Sequence, residues 1–431
     1  MEIGKQEYPK FTVIIPQKNR AEYLGYTLQT CMAQDYPNFE VVVSDDCSDD
    51  NSVEVIKSKA EIDSRIKLYA HSNHLGMRDN FEFALNQVKS GFVIALGGDD
   101  GLVPGAIWKM YNIIQETGTS LLTWSTAGFT YPDETSKENI FWVKRKKGKD
   151  IKFIKSKEFF KKLTQTFIYQ IDECPMFYMK GAASIDLVNK VKGRTPDGCF
   201  YYCPTPDGFS GVVLAGEVEE FAYTAEPLSI VGNTTKSQGR NYYRTDKESR
   251  KEAQEFFNDN IRRTMHSQLA SQQYSPLEPL MTADYLLTAK DLPGWPGEVE
   301  EIDFEHLIRT CFKFIETAPY ATEVLVRELK IIREIAKQHD LLDLFNNLYK
   351  TTKKKVSTTS SIRGFVITHS IRFEGTKLGI NNIYDAANAV NFVWSFNNRF
   401  SRKEVGQFLK NMYRIFSNKR KYKLENLPIL D

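Results

Sequence analysis

The chain has 431 residues, and at ~150 residues per domain this length predicts two or three hydrophobic cores. Its 57 Lys and Arg residues nearly balance its 55 Asp and Glu residues, so the net charge of +2 argues against a nucleic-acid-binding protein. A hydrophobic fraction of 41% excludes a largely disordered chain. No stretch approaches the ~18 apolar residues of a membrane span, and the N-terminal segment has no apolar signal region, which predicts a cytoplasmic protein.

The first hundred residues alternate between strand and helix signals, as in a parallel sheet built from crossover units. Asn19 is the predicted N-cap of the first helix, and Glu22 would complete a capping box with it. Apolar, β-branched runs predict strands at 11–16, 39–43, 65–70 and 92–96. The pattern therefore predicts an α/β fold with a mostly parallel sheet.

Polar residues cluster where these strands end. Lys18 and Asn19 follow the first strand, and the sequence there lacks the glycine pattern of a dinucleotide-binding fold. Two acidic turns, at 45–50 and 99–100, follow the second and fourth strands. Ligands bind beyond the carboxyl ends of strands in open α/β sheets, so these turns are expected to line a site.

Asp99 and Asp100 form an adjacent carboxylate pair with glycines on both sides. Mg²⁺ and Mn²⁺ prefer oxygen ligands and are commonly held by one or two carboxylates together with substrate phosphates. The alternative interpretation is a solvated turn, because Asp and Gly favour turns for conformational reasons.

Three segments resemble the family 2 glycosyltransferases of the GT-A fold: VIIPQKN, QDYPNFEVVVSDDCSDD and NHLGMRDNFEFALNQVKSGFVIALGGDD, in this order, within the first 110 residues. The resemblance implies an inverting enzyme that uses Mn²⁺ or Mg²⁺ to move a sugar from a UDP-sugar to an acceptor hydroxyl. The acceptor would be a glycan or lipid-linked glycan of a bacterial surface polysaccharide, such as capsule or O-antigen. A catalytically degenerate, nucleotide-binding scaffold of a polysaccharide assembly complex is the alternative.

The resemblance also implies roles for individual residues. Asp100 would ligate the metal, while Asp99 would contact the ribose or share the metal. Asp46 would contact the uracil ring, with Asp45 beside it. Gly98 departs from the family's fuller acidic motif. The remaining nucleotide-binding residues would be Pro16, Lys18, Asn19, Arg78 and Asn80.

Inverting transfer requires a general base for the acceptor hydroxyl. The sequence has two TPDG segments, with Asp197 and Asp207, and Asp207 precedes an apolar stretch as in the family pattern. Asp207 is therefore the predicted base, Asp197 is the reserve candidate, and helix capping is the alternative role of Asp207. Residues 227–237 resemble a flexible segment that closes over the diphosphate, with Lys236 and Ser237 as phosphate contacts.

The sequence predicts two domains, a GT-A domain of residues 1–240 and a helical C-terminal domain of residues 241–431. Helical periodicity is clear in 321–349 and 382–400, and the basic run 144–149 is an expected loop.

Residues 402–423 combine apolar positions at helical spacing with a strongly basic surround, which fits peripheral contact with an anionic membrane at ~1 kcal/mol per Lys or Arg. A helix packed on the protein with a solvated basic face is the alternative. We expect a chain ending before Arg402 to lose binding to anionic liposomes at low salt, measured by co-sedimentation. Equal binding by the truncated and complete chains would exclude this segment as the membrane contact.

Overall fold

The computed structural model describes residues 8–132, 139–144, 151–237, 251, 264–317, 322–352, 366–367 and 370–396. The strands of the described residues are β1 Phe11–Gln17, β2 Phe39–Asp45, β3 Ile66–Ala70, β4 Phe92–Ala95, β5 Gly101–Leu102, β6 Leu121–Thr130, β7 Ile140–Lys144, β8 Ile151–Lys155, β9 Gly181–Ser184, β10 Glu220–Asn233, β11 Val366–Ile367 and β12 Ser370–Glu374. The helices are α1 Ala21–Met32, α2 Ser52–Ile62, α3 Met77–Asn86, α4 Ala106–Thr117, α5 Ser156–Thr166, α6 Ile185–Lys192, α7 Gly208–Gly216, α8 Glu278–Lys290, α9 Phe304–Thr317, α10 Thr322–Gln338, α11 Leu342–Thr351 and α12 Ile383–Phe396.

The first four strands form a parallel unit in the order β4-β1-β2-β3, which confirms the predicted α/β class. Every residue of β1 is buried, as expected for a strand covered by helices on both faces. Later strands join this unit to make one mixed sheet, in which β9 pairs antiparallel with both β4 and β6. Because β1, β2 and β4 are parallel neighbours, their carboxyl ends lie at the same edge of the sheet.

The start of α1 differs from the capping-box prediction, which was wrong. The helix begins at Ala21, whose N–H donates to Asp50 Oδ2 at 3.1 Å, so the cap comes from the loop after β2. Asn19 has a left-handed φ of 54°, and its Oδ1 accepts a hydrogen bond from the Asp49 N–H at 3.0 Å. Asn19 therefore ties the loops after β1 and β2 together instead of capping its own helix.

The C-terminal region contributes to the same sheet. The C-terminal region is mainly helical, as predicted, and it also supplies strand β12, which pairs antiparallel with β7. Helix α12 packs against α1 and β10, and one buried core extends from Ile14 to Phe345. The predicted helix at 321–349 is two helices, α10 and α11, separated near Asp340, which has φ 56°. The boundary at residue 240 stays a prediction, and buried contacts cross it.

Trp295 joins the helical region to α7. Its indole Nε1–H donates to the Val213 carbonyl at 3.1 Å, and the side chain is buried. The ring lies against Gly216 and Gly297, where an added Cβ would come within 2.1 Å and 2.2 Å of it. Only glycine leaves room for the ring at these two positions.

Lys144, the first residue of the basic run 144–149 predicted as a loop, is the last residue of β7. The rest of that run and the C-terminal segment 402–423 lie outside the described residues. Within the part of the chain that the structure describes, no helix combines the length and apolar character needed to cross a membrane.

We expect Trp295→Ala to lower the free energy of unfolding by about 3–5 kcal/mol, because it removes a large buried ring and leaves a cavity. Denaturant titration measures the change. Val326→Ala is the control, since Val326 is 47% exposed and its truncation should change stability by less than about 1 kcal/mol. A change of less than about 1 kcal/mol for Trp295→Ala would contradict the packing of Trp295 against α7.

Candidate active site

The carboxyl edge of the sheet brings the predicted acidic turns together with the loop after β1. The Asp46 N–H donates to the Gln17 carbonyl at 2.9 Å, and the Gln17 amide donates to the Asp45 carboxylate. Pro16 is buried in β1 opposite Ser44. The residues predicted from the segments after β1 and β2 therefore lie next to each other at this edge.

Asp100 is buried and is held by backbone amides. The Gly97 N–H donates to its Oδ2 and the Gly232 N–H donates to its Oδ1, both at 2.9 Å, while the Tyr178 hydroxyl adds a third bond. Burial, with the neighbouring charge of Asp99 as a smaller cause, raises the pKa of Asp100 to about 7. Asp100 thereby joins the end of β4 to β10.

Asp99 has fewer protein partners than Asp100. The Thr234 hydroxyl donates to Asp99 Oδ2 at 3.0 Å, and the side chain is 6% exposed. Two adjacent buried carboxylates repel each other, and a divalent cation at Asp99 would relieve that repulsion. Carboxylate oxygens are also the donors that Mg²⁺ and Mn²⁺ prefer, so the pair fits such a metal. Among the described residues, no group of three or more His, Cys, Asp or Glu side chains is arranged to hold a metal without substrate.

Steric crowding explains why glycine occupies the two positions before this pair. A Cβ at Gly97 would lie 2.7 Å from the Tyr178 hydroxyl and 2.8 Å from Asp100 Oδ2. A Cβ at Gly98 would lie 3.1 Å from the side chain of Arg20. The departure of Gly98 from the fuller acidic motif therefore coincides with an arginine packed against that position.

Asp45 and Asp46 organise the turns around them. The Asp45 carboxylate accepts hydrogen bonds from the Ser48 N–H at 3.0 Å and the Ser48 hydroxyl at 2.6 Å. Asp46 accepts bonds from the Leu75 N–H at 2.6 Å and the Gly76 N–H at 3.1 Å. His74 Nδ1 also lies 2.9 Å from Asp46 Oδ2. A ligand at Asp46 would meet a carboxylate already fixed in direction by three protein groups.

A reciprocal pair of contacts fastens the segment after β10 to the loop after β1. Lys236 Nζ donates to the Asn19 carbonyl and Arg20 Nη2 donates to the Lys236 carbonyl, both at 2.8 Å. The Thr234 N–H donates to Ser237 Oγ at 3.1 Å, and Lys18 Nζ lies 3.1 Å from a ring nitrogen of His74. Three basic side chains, those of Lys18, Arg20 and Lys236, thus surround the acidic edge.

The predicted flexible segment was wrong for residues 227–233, which belong to β10 and pair with β6 and β5. Its buried apolar residues, including Leu228 and Ile230, explain this outcome. Residues 234–237 follow as a turn beside Asp99.

Arg78 and Asn80 lie at the start of α3 with protein partners. Arg78 forms an ion pair with Asp197, and its Nε–H donates to the Tyr201 carbonyl at 2.6 Å. Asn80 is buried, accepts a bond from the Ser44 hydroxyl at 2.6 Å and donates to the Ser44 carbonyl at 3.1 Å. Asp197, the reserve candidate for the base, is thus partnered by Arg78.

Asp207 is half-buried at the N-terminus of α7, and its carboxylate does not cap that helix. The Tyr169 hydroxyl donates to Asp207 Oδ2 at 2.9 Å. In the first turn of α7, the Ser210 hydroxyl accepts from the N–H of Phe177, the residue before Tyr178, at 2.9 Å. Asp207 and the acidic pair both act electrostatically on Tyr178, whose pKa is raised mainly by burial. Tyr178 is therefore within electrostatic range of both predicted groups.

Sequence reasoning missed four residues in this region. Arg20 stands directly after the recognised loop, so its position was the available signal. Thr234 stands two residues before Lys236, within the segment predicted to contact phosphate, so its position and its hydroxyl were the available signal. Tyr169 and Tyr178 carry no local motif, because only tertiary contacts bring them to Asp207 and Asp100.

We expect Gly232→Ala to lower the free energy of unfolding by about 1–3 kcal/mol, because the new Cβ would lie 1.9 Å from the Asp99 carbonyl oxygen. Denaturant titration is the measurement. Gly193→Ala is the matched control, since its nearest contact would be an ordinary 3.5 Å. Wild-type stability of the Gly232 variant would contradict the close approach of β10 to Asp99.

Comparison with known proteins gives a family for this part of the chain. Residues 12–177 match the model described as glycosyl transferase family 2. The GalNAc(5)-diNAcBac-PP-undecaprenol beta-1,3-glucosyltransferase of Campylobacter jejuni is 29% identical over 150 residues, 32% of this chain and 48% of that protein. The poly(ribitol-phosphate) beta-N-acetylglucosaminyltransferase TarS of Staphylococcus aureus is 35% identical over 95 residues, 21% of this chain and 16% of TarS.

Among solved structures, S. aureus TarS 1–349 in complex with UDP-GlcNAc aligns at a TM-score of 0.42 and 14% identity, covering 80% of this chain and 92% of that one. The chain spans about half or less of the length of the two curated relatives. Residues 12–177 of the chain are therefore similar in sequence to glycosyl transferase family 2, and this stretch includes the acidic turns at the edge of the sheet.

Proposed function

We propose that this chain is an inverting glycosyltransferase that moves a sugar from a UDP-sugar to an acceptor hydroxyl with the help of Mn²⁺ or Mg²⁺. The observation that carries this proposal is the pair Asp99 and Asp100 at the carboxyl edge of a family 2 domain, beside a turn anchored by Thr234. Transfer breaks the bond between the sugar and the diphosphate, so negative charge grows on the leaving group.

The proposal departs from the metal-ligand role that the family resemblance implies for Asp100, and gives Asp99 and Asp100 different roles. Asp99 would hold the metal. The Thr234 hydroxyl donates a hydrogen bond to one oxygen of the Asp99 carboxylate, and its two oxygens are not both occupied by backbone amides. Asp100, whose two oxygens accept backbone amides of Gly97 and Gly232, would fix the turn that carries Asp99. When bound, the divalent cation supplies positive charge to the leaving diphosphate.

The nucleotide would lie along the loops after β1 and β2. Asp46 is oriented by the amides of Leu75 and Gly76, and a carboxylate so fixed can still accept the imide N–H of uracil. Lys18 and Lys236 offer positive charge at the same edge, suited to a diphosphate. Donor binding that buries Asp46, Lys18 and Lys236 would also exclude water from the hydrolysable donor.

Asp207 would act as the general base on the acceptor. Its carboxylate does not cap α7, so the alternative structural role has no support from its contacts. An inverting reaction places the base on the face of the sugar opposite the diphosphate, and Asp207 at the start of α7 belongs to a different segment of the chain from the acidic pair after β4.

We further propose that the acceptor is a glycan or a lipid-linked glycan used in bacterial surface polysaccharide synthesis, at the inner face of the cell membrane. The name of the Campylobacter relative includes an undecaprenol-linked acceptor, which supports this class. Residues 1–240 would bind the donor, and the C-terminal region would complete the acceptor side through α8, whose residues contact the 169–170 segment next to Asp207.

A transfer assay over a set of UDP-sugars with Mn²⁺ tests the proposal. We expect Asp99→Asn to lower transfer about 10²–10³-fold through lost stabilisation of the leaving group. Asp207→Asn should lower it about 10²–10⁴-fold and leave UDP binding intact, because a base acts on the acceptor. Asp197→Asn is the companion variant and should retain most activity. Activity lost in Asp197→Asn but kept in Asp207→Asn would move the base to the earlier TPDG segment.

A further inference from the structure

The carboxylate of Asp207 is held by contacts that start in α8, outside the family-matched residues. The Tyr169 hydroxyl donates to Asp207 Oδ2 at 2.9 Å, and the Gln170 amide donates to that hydroxyl at 3.2 Å. The backbone around them is fixed by α8, since the Gln170 N–H donates to Glu278 Oε1 at 3.1 Å and the Tyr169 N–H donates to Thr282 Oγ1 at 3.2 Å. A continuous set of hydrogen bonds thus runs from α8 to Asp207.

The second oxygen of Asp207 differs from the first. Oδ1 is shielded from solvent and has no hydrogen-bond partner in the part of the chain that the structure describes. An unpartnered buried acceptor costs about 1–3 kcal/mol, so its persistence in a fold calls for an explanation such as a catalytic role. The arrangement leaves Oδ1 as the oxygen that lacks a protein donor.

The surrounding aromatic residues supply a comparison within the same cluster. Tyr285 is fully buried, and its hydroxyl lies 2.6 Å from Thr205 Oγ1 and 3.0 Å from the Tyr274 hydroxyl. The rings of Tyr285 and Tyr169 both press on Gly208, where a Cβ would come within 2.3 Å and 2.8 Å of them. The two tyrosines are similar in burial and packing, but the hydrogen bond to Asp207 comes from Tyr169.

We propose that Tyr169 is a positioning residue for Asp207, and that α8 fixes Tyr169 through Glu278 and Thr282 so that the Asp207 carboxylate is held in one orientation for its reaction with the acceptor hydroxyl. This inference rests on the proposed function of Asp207 as the general base. Tyr169 orients the carboxylate and exchanges no proton with substrate. The C-terminal region thereby takes part in transfer through geometry, since small displacements of a catalytic group lower the rate steeply.

The experiment compares Tyr169→Phe with Tyr285→Phe in the full-length protein. Each variant removes one buried hydroxyl and keeps the ring, so each should lose a similar amount of stability. We expect Tyr169→Phe to lower kcat about tenfold with little change in the KM for the donor or in UDP affinity. Tyr285→Phe should change kcat less than about twofold, because its hydroxyl bonds to Thr205 and Tyr274.

Two further variants separate positioning from general destabilisation. In an Asp207→Asn background, Tyr169→Phe should lower kcat no further, because the group that it orients is already disabled. Glu278→Ala should lower kcat. Glu278→Gln should keep kcat near the wild-type value, because an amide oxygen can also accept the hydrogen bond from the Gln170 N–H.

Equal kcat for Tyr169→Phe and wild type, with Asp207→Asn inactive, would overturn the positioning role and leave the proposed function standing. Equal losses of kcat in Tyr169→Phe and Tyr285→Phe would overturn it too. If wild type transfers no sugar from any UDP-sugar while it binds UDP and Mn²⁺, the proposed function itself fails.

Discussion

The candidate site depends on a buried carboxylate that is satisfied by backbone amides. Asp100 is 1% exposed, and a charge removed from water to that extent requires compensating hydrogen bonds. The N–H groups of Gly97 and Gly232 supply them from two different segments of the chain. Because these donors belong to backbone, the end of β4 and the end of β10 must both be in place before Asp100 is accommodated.

This constraint shapes the residues around it. Gly232 approaches the carbonyl of Asp99 so closely that a methyl group does not fit, and Gly97 makes room for Tyr178 and the Asp100 carboxylate. The same strand end carries Thr234 to Asp99 and continues to Lys236, which donates to the loop after β1. The acidic edge, the turn beside it and the first loop therefore form one connected unit, in which Asp99 is the member that a metal could reach.

Much of the parallel unit could be predicted from the sequence, because its strands are short apolar runs that end in polar turns. The four strand predictions match β1 to β4 to within about two residues, and the acidic turns lie where the pattern placed them. The capping of α1 could not be predicted, since Asp50 reaches Ala21 from a different loop. Strand β12 was missed for a related reason: it is short and pairs with a strand more than 200 positions earlier in the chain.

The functional side chains that lie together in one segment could be predicted from the sequence. The contacts between distant segments could not. The acidic character of Asp99 and Asp100 is visible in the sequence, but the way their environments differ is not, because Gly232 and Thr234 reach them from β10 and the turn after it. Asp207 could be selected from its TPDG segment, whereas Tyr169 could not, because the contact joins positions 38 residues apart. Contacts of this kind come from tertiary packing and leave no spacing pattern in the sequence.

In the proposed site, Asp99 would hold a divalent cation and Asp100 would fix the turn that carries Asp99. The most direct measurement is anomalous X-ray diffraction from crystals of the protein soaked with UDP and Mn²⁺. We expect a manganese peak within bonding distance of an Asp99 carboxylate oxygen, with both Asp100 oxygens still accepting hydrogen bonds from the amides of Gly97 and Gly232. A peak bonded to Asp100 with those amide contacts broken, or a peak remote from both aspartates, would contradict it.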